Sequence, residues 1–295
     1  MYDLISLTKR HVIKFLRDKT AVFFSFLSVL ILLALYFLFI GEQYTNDSDL
    51  AFLTQNEKVF ITAGIMMGGI LVINTVSLSL GIMGNIISDL ELHKLDAFLV
   101  TPVKRYKIIL SYYLSAILVT SILSIFMWSL TVLYVGLIAG YWYTLNEIFT
   151  VTIMLVIFTF VSSSMMIYLT TLMKSVNAFG TLSGILGTFI GFACGIYMPL
   201  INLGPTVKYV ASVIPFTHMA IELKQVLLER PYEIMASHGI PETDMDFIKQ
   251  VYGSTEIGVL GIDTPMWIIT LASLALSVFF LFLAYRRMTR KMGKI

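Results

Sequence analysis

Long uncharged runs dominate the hydrophobic pattern of this chain, and short stretches between them hold most of the charged residues. Six runs are at least as long as the roughly 20 residues that a helix needs to cross a bilayer. Backbone in lipid must satisfy its own hydrogen bonds, and the runs show no period-two alternation, so the pattern predicts helices and not a barrel. The predicted spans are residues 20–41, 60–84, 108–136, 148–172, 176–198 and 264–285.

The distribution of Lys and Arg predicts how these spans are oriented. With the N-terminus inside, the inner segments hold 15 of the 20 Lys and Arg residues. Basic residues favour the cytoplasmic side of a membrane, so both termini are expected to be cytoplasmic. The expected fold class is therefore all-α: a single polytopic membrane domain over residues 1–295 with six transmembrane helices.

Two segments outside the spans have patterns of their own. The spacing of apolar and basic residues over 1–19 predicts an amphipathic helix at the membrane surface. Ile5 and Leu16 would lie on its apolar face, opposite Arg10. Residues 199–263 predict two short helices that re-enter the outer leaflet, the second near 215–229, followed by a polar loop.

The inner loop at residues 85–103 predicts a short helix with an apolar face. Ser88 and Glu91 match a capping box, which would begin this helix at Ser88, and Pro102 would end it. Leucines at every third or fourth position form the apolar face. Such a face must be covered, and two interpretations remain open: the helix lies on lipid, or it docks into a cytoplasmic partner.

Glycines recur at four-residue spacing in the fifth predicted span. This spacing lets helix backbones approach closely, so it predicts a packing surface. The surface would serve contact with a second subunit or ordinary packing within the chain. The residues concerned are Gly180, Gly184, Gly187 and Gly191.

The composition agrees with a membrane protein and excludes some other classes. Only 13% of the residues are charged and 58% are hydrophobic, whereas a soluble domain typically carries about 25% charged residues. A net charge of +2 gives no support for nucleic-acid binding. The single cysteine, Cys194, cannot form an intrachain disulfide.

Motifs for catalysis and for cofactor binding are missing from the sequence. It contains no Gly-x-x-x-x-Gly-Lys-Ser/Thr phosphate loop, and its four histidines lack metal-ligand spacing. We therefore expect no enzyme activity and no metal or cofactor bound by this chain. The predicted spans also lack Asp, Glu, Lys, Arg and His, the residues from which acid or histidine relays are usually built. This absence favours energy supplied from outside the membrane.

A few polar and large soft residues lie inside the second and fifth predicted spans. They are typical of a pathway for a hydrophobic or amphipathic cargo, although packing between helices would use the same residues. The candidate pathway residues are Met66, Asn74, Asn177, Phe189 and Phe192.

Three stretches of the chain resemble the ABC-2 type permeases, particularly the small six-span members that export drugs and antibiotics. They are residues 15–24, where the basic surface helix enters the first span, residues 91–103 after the second span, and residues 214–218. The likeness in architecture covers nearly the full length, and residues 91–103 are its most specific part.

The resemblance implies an exporter whose ATPase is a separate chain. In such permeases the N-terminal helix is a connecting helix, and the loop after the second span is a coupling helix that seats in a groove of the ATPase. Two permease chains, expected here as a homodimer, and two ATPase subunits that bind ATP and Mg²⁺ form the exporter in the plasma membrane. Carried over, the expected ATPase-coupling residues are Asp89, Glu91, Lys94, Leu95 and Phe98.

Two other classes remain as alternatives. An ion-coupled secondary transporter or channel would be expected to carry intramembrane acids or an internal repeat of the spans. A membrane-embedded lipid-modifying enzyme would need clustered acids, histidines or a metal site at one interface. The sequence shows none of these features convincingly.

Overall fold

A computed structural model describes residues 2–23, 27, 52–95, 98 and 102–292. Within these ranges the chain is helical and contains no strand, which confirms the all-α fold class. The main helices are α1 (Tyr2–Arg17), α2 (Gln55–Glu91), α3 (Arg105–Tyr134), α4 (Leu145–Leu172), α5 (Val176–Ala193), α6 (Pro205–Ala211), α7 (Pro215–Ser237), α8 (Glu242–Tyr252) and α9 (Met266–Met292).

Five helices of the described ranges are long and apolar enough to cross a membrane. They are α2, α4, α5, α9 and the continuous stretch Arg105–Ala139, in which a π-helical turn extends α3. These helices overlap the second to sixth predicted spans. The first predicted span, residues 20–41, lies almost entirely outside the described residues.

Helix α2 occupies the centre of the bundle. It begins with a capping box, in which Thr54 Oγ1 accepts from the Glu57 N–H and Glu57 Oε2 accepts from the Thr54 N–H. Of the most apolar 18-residue segment of α2, 94% is buried. The helix packs against α3, α4, α5 and α7. A helix that is apolar on all sides is expected at such a central position.

The end of α2 corrects one prediction from the sequence. The helix continues through Ser88 to Glu91, so Ser88 does not begin a separate short helix. Asp89 is buried on the face that α2 presents to its neighbours, so the packed helix continues past the proposed start. It ends where His93 takes a left-handed conformation (φ 53°) and the Lys94 N–H donates to the Asp89 carbonyl, a pattern typical of helix C-termini. Residues 96–97 and 99–101 of the predicted coupling helix lie outside the described residues.

Helix α1 packs against α3 through one side, and two apolar residues of the side predicted to face the membrane stay exposed. Thr8, His11 and Phe15 are buried, whereas Ile5 and Leu16 are exposed. Polar residues can occupy the buried stripe because their hydrogen bonds are satisfied internally.

The segment between α5 and α9 is more helical than the sequence indicated. Helix α7 runs on past Pro231 to Ser237 and packs against α2, α4 and α9. The close approach of α7 to α2 depends on Gly68, where an added Cβ would lie 2.4 Å from the Lys224 Cγ. The expected polar loop contains α8, whose amphipathic sequence buries Met245 and Tyr252 beside α7.

Candidate functional site

Asp89 joins three helices near the end of α2. Its carboxylate is fully buried and accepts from the Lys14 Nζ at 2.7 Å, from the Tyr112 hydroxyl at 2.7 Å and from the Arg10 guanidinium at 3.3 Å. We call Arg10, Lys14, Asp89 and Tyr112 the Asp89 cluster. Because a buried carboxylate is stable only when it is paired and hydrogen-bonded, this cluster fixes α1 and α3 to the end of α2.

His11 forms a second layer beneath the Asp89 cluster. Its ring stacks on Tyr112 with the centroids 3.8 Å apart. Arg10 lies 3.3 Å from His11 Nδ1 and can only donate, so Nδ1 accepts, and Nε2 donates to Ser111 Oγ at 3.2 Å. Burial, assisted by the charge of Arg10, lowers the pKa of His11 to about 3. The imidazole is therefore neutral at physiological pH.

A second ion pair holds the other end of α1. The Lys107 Nζ of α3 donates to Asp3 Oδ2 at 2.7 Å, and this hydrogen bond lowers the pKa of the Asp3 carboxyl. Helix α1 is thus tied to α3 near its first residue and to α2 through its last turns.

The turn after α2 presents a small exposed surface beside the Asp89 cluster. We call Glu91, Leu92, His93 and Lys94 the turn surface; all four are exposed, and Leu92 is 58% exposed.

The structure separates the five expected coupling residues into two groups. Glu91 and Lys94 belong to the turn surface. Asp89 and Leu95 do not, because Asp89 is buried in its cluster and Leu95 is 1% exposed in the apolar core. Neither side chain is exposed for direct contact with an ATPase in this structure, and their part in coupling stays a prediction. Phe98 is half-buried, and the Arg10 guanidinium lies 4.7 Å from its ring centroid.

The expected pathway residues also divide. Met66 and Asn74 are buried between helices of the chain, and Asn74 Nδ2 donates to Ser124 Oγ at 3.3 Å. In this structure these two residues pack against neighbouring helices, and their role in a pathway stays a prediction. Asn177, Phe189 and Phe192 are exposed on α5, and their role in a pathway stays a prediction.

Helix α5 presents its glycines to open space. No atom lies within 4 Å of the position that a Cβ would take at Gly180, Gly184 or Gly187, whereas Gly191 packs against the Tyr197 ring. Only 17% of the 18 residues of α5 are buried. Three of the four predicted packing glycines therefore form a flat apolar face that no described residue covers.

The sequence did not reveal the partners of Asp89 or the interior position of α7. An acid at the end of a long apolar run needs a partner, and the basic residues Arg10 and Lys14 of α1 were the available signal. In α7, His218 and Lys224 are buried, whereas the sequence predicted only a short helix that re-enters the outer leaflet near residues 215–229.

Membrane-crossing helices around a buried central span, with a basic surface helix fixed to its end, define a polytopic helical membrane protein. The chain belongs to the ABC-2 type transporter family, whose model matches residues 2–228. It is therefore a membrane component of a transporter and not a catalytic domain. No match was found among curated proteins.

Proposed function

We propose that this chain is the permease subunit of an exporter that is powered by a separate ATPase. The observation that supports this most directly is the Asp89 cluster, which connects the turn surface and α1 to the central helix in a member of a transporter family. Two ATPase subunits, which hold ATP and Mg²⁺, dock against the turn surfaces of two permease chains.

The proposed route of coupling follows from the packing of α2. Movement of the ATPase displaces the turn surface and α1 together, because Asp89 joins them. Helix α2 carries the displacement into the bundle, since it packs on α3, α4, α5 and α7. A continuous helix of 37 residues transmits such a displacement with little loss.

The cargo that we propose is a hydrophobic or amphipathic small molecule, such as a drug, an antibiotic, a toxin or a lipid-like compound. Helix α5 supports this class because its exposed face carries aromatic residues, including Phe189 and Phe192, and no charged residue. Such a face would stabilise an apolar cargo and would not stabilise a bare ion.

The working assembly that we propose contains two copies of the permease in the plasma membrane, with both termini cytoplasmic. The glycine face of α5 is the proposed contact between the copies. Small residues at this spacing let two helices approach closely within a bilayer, and the face has no partner among the described residues of one chain.

The ATPase contact is tested by a charged substitution on the turn surface. Leu92→Glu places a carboxylate at an exposed position, so folding is retained while an apolar contact is lost. We expect co-purification with the ATPase and its stimulated ATP hydrolysis to fall at least about tenfold, the loss that corresponds to about 1.4 kcal/mol of binding. The matched control is Ile262→Glu, which changes an exposed isoleucine between α8 and α9.

Two results would contradict the proposed coupling. One is a Leu92→Glu variant that binds and stimulates the ATPase like the unchanged permease. The other is transport by purified permease along an ion gradient with no ATPase present, which would indicate the ion-coupled alternative.

The contact between copies is tested by disulfide crosslinking. Gly184→Cys should give a covalent dimer on mild oxidation in membranes, and Leu271→Cys, on the exposed face of α9, should not. The native Cys194 contributes little background because it is buried. Crosslinking through position 271 without crosslinking through position 184 would assign the contact to α9.

A further inference from the structure

Two ionisable side chains of α7 lie inside the helical bundle, whereas the predicted spans contain no Asp, Glu, Lys, Arg or His. His218 is 3% exposed, and Glu222 follows it by one helical turn. Both line a cleft whose other walls include Phe158 of α4 and Thr270 of α9. Phe158 lies halfway along α4, whereas Thr270 and Pro215 lie in the first turns of α9 and α7, so the cleft enters the bundle from the side on which these two helices begin. Ionisable residues inside such a bundle are rare and are usually functional.

The hydrogen bond of His218 determines what its second nitrogen needs. Nε2 lies 2.7 Å from the Ser212 carbonyl oxygen, which can only accept, so Nε2 carries the proton. In the neutral ring Nδ1 is then an acceptor. Nδ1 is buried and has no hydrogen-bond partner among the described residues. A buried acceptor without a donor is unfavourable, so this atom needs a donor that the described residues do not supply.

Glu222 contributes a second acceptor to the same cleft. The Thr270 hydroxyl donates to its Oε1, and no cation in the described part of the chain lies within ion-pair distance of it. The charged group that acts on both His218 and Glu222 is another acid, Glu256. The α4 and α9 residues that line the cleft are apolar or carry hydroxyls, so they bring no charge.

The size of the cleft restricts what can satisfy these two acceptors. Its free volume is about 10 Å³, roughly the minimum for one water molecule. A cargo molecule does not fit, and the described residues contain no cluster of three potential metal ligands. The remaining donors are one water molecule, whose two O–H groups could reach both acceptors, and a proton on the Glu222 carboxyl group. The proton is favoured because the described residues that line the cleft include no cation to balance a carboxylate among apolar side chains.

We propose that His218 and Glu222 form a proton-binding site inside the permease. One proton from bulk water adds to the Glu222 carboxylate and gives a neutral carboxylic acid. Its O–H then donates to His218 Nδ1, directly or through one water, while Thr270 continues to donate to the other oxygen. The change adds one positive charge to the chain and breaks no covalent bond. The site goes beyond the proposed ATP-driven function.

Infrared spectroscopy on the full-length permease in lipid nanodiscs tests this site without ATPase or cargo. We expect the carbonyl stretch of a protonated carboxylic acid to persist at about pH 7, well above the ordinary Glu pKa of about 4.3. Glu222→Gln should remove this band, since an amide resembles the protonated acid in shape but does not titrate. Glu229→Gln, which changes an exposed acid of the same helix, should leave the band in place.

A second variant tests the role of the imidazole. His218→Phe removes the acceptor Nδ1, so the Glu222 band should disappear at a lower pH than in the unchanged protein. The proposal is overturned if no protonated carboxyl is seen at neutral pH, if the band survives Glu222→Gln, or if His218→Phe leaves its titration unchanged. Because neither ATP nor transport is measured, these results do not depend on the exporter function.

Discussion

At the scale of single residues, burial decides what each substitution in the Asp89 cluster does. Replacing both Arg10 and Lys14 by alanine leaves a fully buried carboxylate with Tyr112 as its remaining side-chain donor. Breaking a buried pair in this way typically costs about 3–5 kcal/mol. Asp89→Asn should cost less, about 1–2 kcal/mol, because an acceptor for Tyr112 remains and both cations can reach solvent. Thermal unfolding in detergent measures the difference.

The control for this prediction removes the same charge from exposed positions of the same helix. Lys9 and Arg17 are exposed on α1, so replacing both by alanine should change stability little. Adding Asp89→Asn to the Arg10 and Lys14 double variant should restore most of the lost stability. If the Lys9 and Arg17 control loses as much stability as the Arg10 and Lys14 double variant, the loss comes from the change in net charge and not from the buried carboxylate.

The neutral state of His11 predicts how stability depends on pH. The folded protein holds the pKa of His11 at about 3, below its ordinary value of 6.5, so the unfolded chain takes up this proton first as pH falls. The contribution of His11 to stability is therefore complete above about pH 6.5 and is lost towards about pH 3.

Replacing His11 by phenylalanine keeps an aromatic ring against Tyr112 and removes the titration. Between about pH 7 and about pH 5, the variant should lose about 1–2 kcal/mol less stability than the unchanged protein. Chemical denaturation at several pH values measures this. If the free energy of unfolding falls equally with pH in the two proteins, His11 becomes protonated in the folded state and the prediction is contradicted.

Asp89 also shows what the sequence could reveal at this scale. The family resemblance made it a candidate site residue, and the structure gives its carboxylate three side-chain donors. The contacts that it makes within the chain could not be predicted, because sequence position alone does not give the direction of a side chain. That direction depends on Lys14, 75 positions earlier, whose proximity arises only in the folded bundle.

At the scale of helices, two glycines with opposite surroundings predict opposite effects of the same substitution. At Gly68 of α2 an added Cβ would lie 2.4 Å from the Lys224 side chain and 3.1 Å from its backbone nitrogen. Gly68→Ala should therefore force α7 away and cost about 1–3 kcal/mol, as overpacking typically does. Gly184→Ala meets no atom within 4 Å and should leave the stability of a single chain unchanged or raise it by up to about 1 kcal/mol.

Unfolding of the monomeric permease in detergent compares the two glycine variants. A loss of stability in both would mean that α5 is covered in the isolated chain. If neither variant loses stability, the contact between α2 and α7 must be looser than the structure shows.

The sequence predicted the apolar helices well and their partners poorly. Uncharged runs located α2, α3, α4, α5 and α9, because length and hydropathy are local properties. Helix α7 was predicted only as a short re-entrant helix, because Pro215 and its charged residues interrupt the apolar pattern. It is interior because Gly64 and Gly68 of another helix make room for it, and this fit between distant segments is not visible in either segment alone.

At the scale of the whole molecule, the predicted orientation can be tested with single cysteines. Leu92→Cys and Ile262→Cys place thiols at exposed positions near opposite ends of the bundle. If both termini are cytoplasmic, a membrane-impermeant thiol reagent should label position 262 in intact cells and position 92 only after permeabilisation. Labelling in the reverse order would invert the topology. The unchanged protein is the control, since its one cysteine is buried.

The Asp89 cluster has a consequence for biosynthesis. Asp89 lies 75 positions after Lys14 and 79 positions after Arg10, and Tyr112 follows it by 23 positions. A ribosome makes α1 long before the carboxylate exists, and the carboxylate before the tyrosine. The surface helix therefore cannot dock fully until α3 has been synthesised, and a nascent chain that stalls earlier exposes an unpaired acid. That exposed acid is a feature by which membrane quality-control proteases would distinguish an unfinished copy, and it lies in the contact that we propose for coupling.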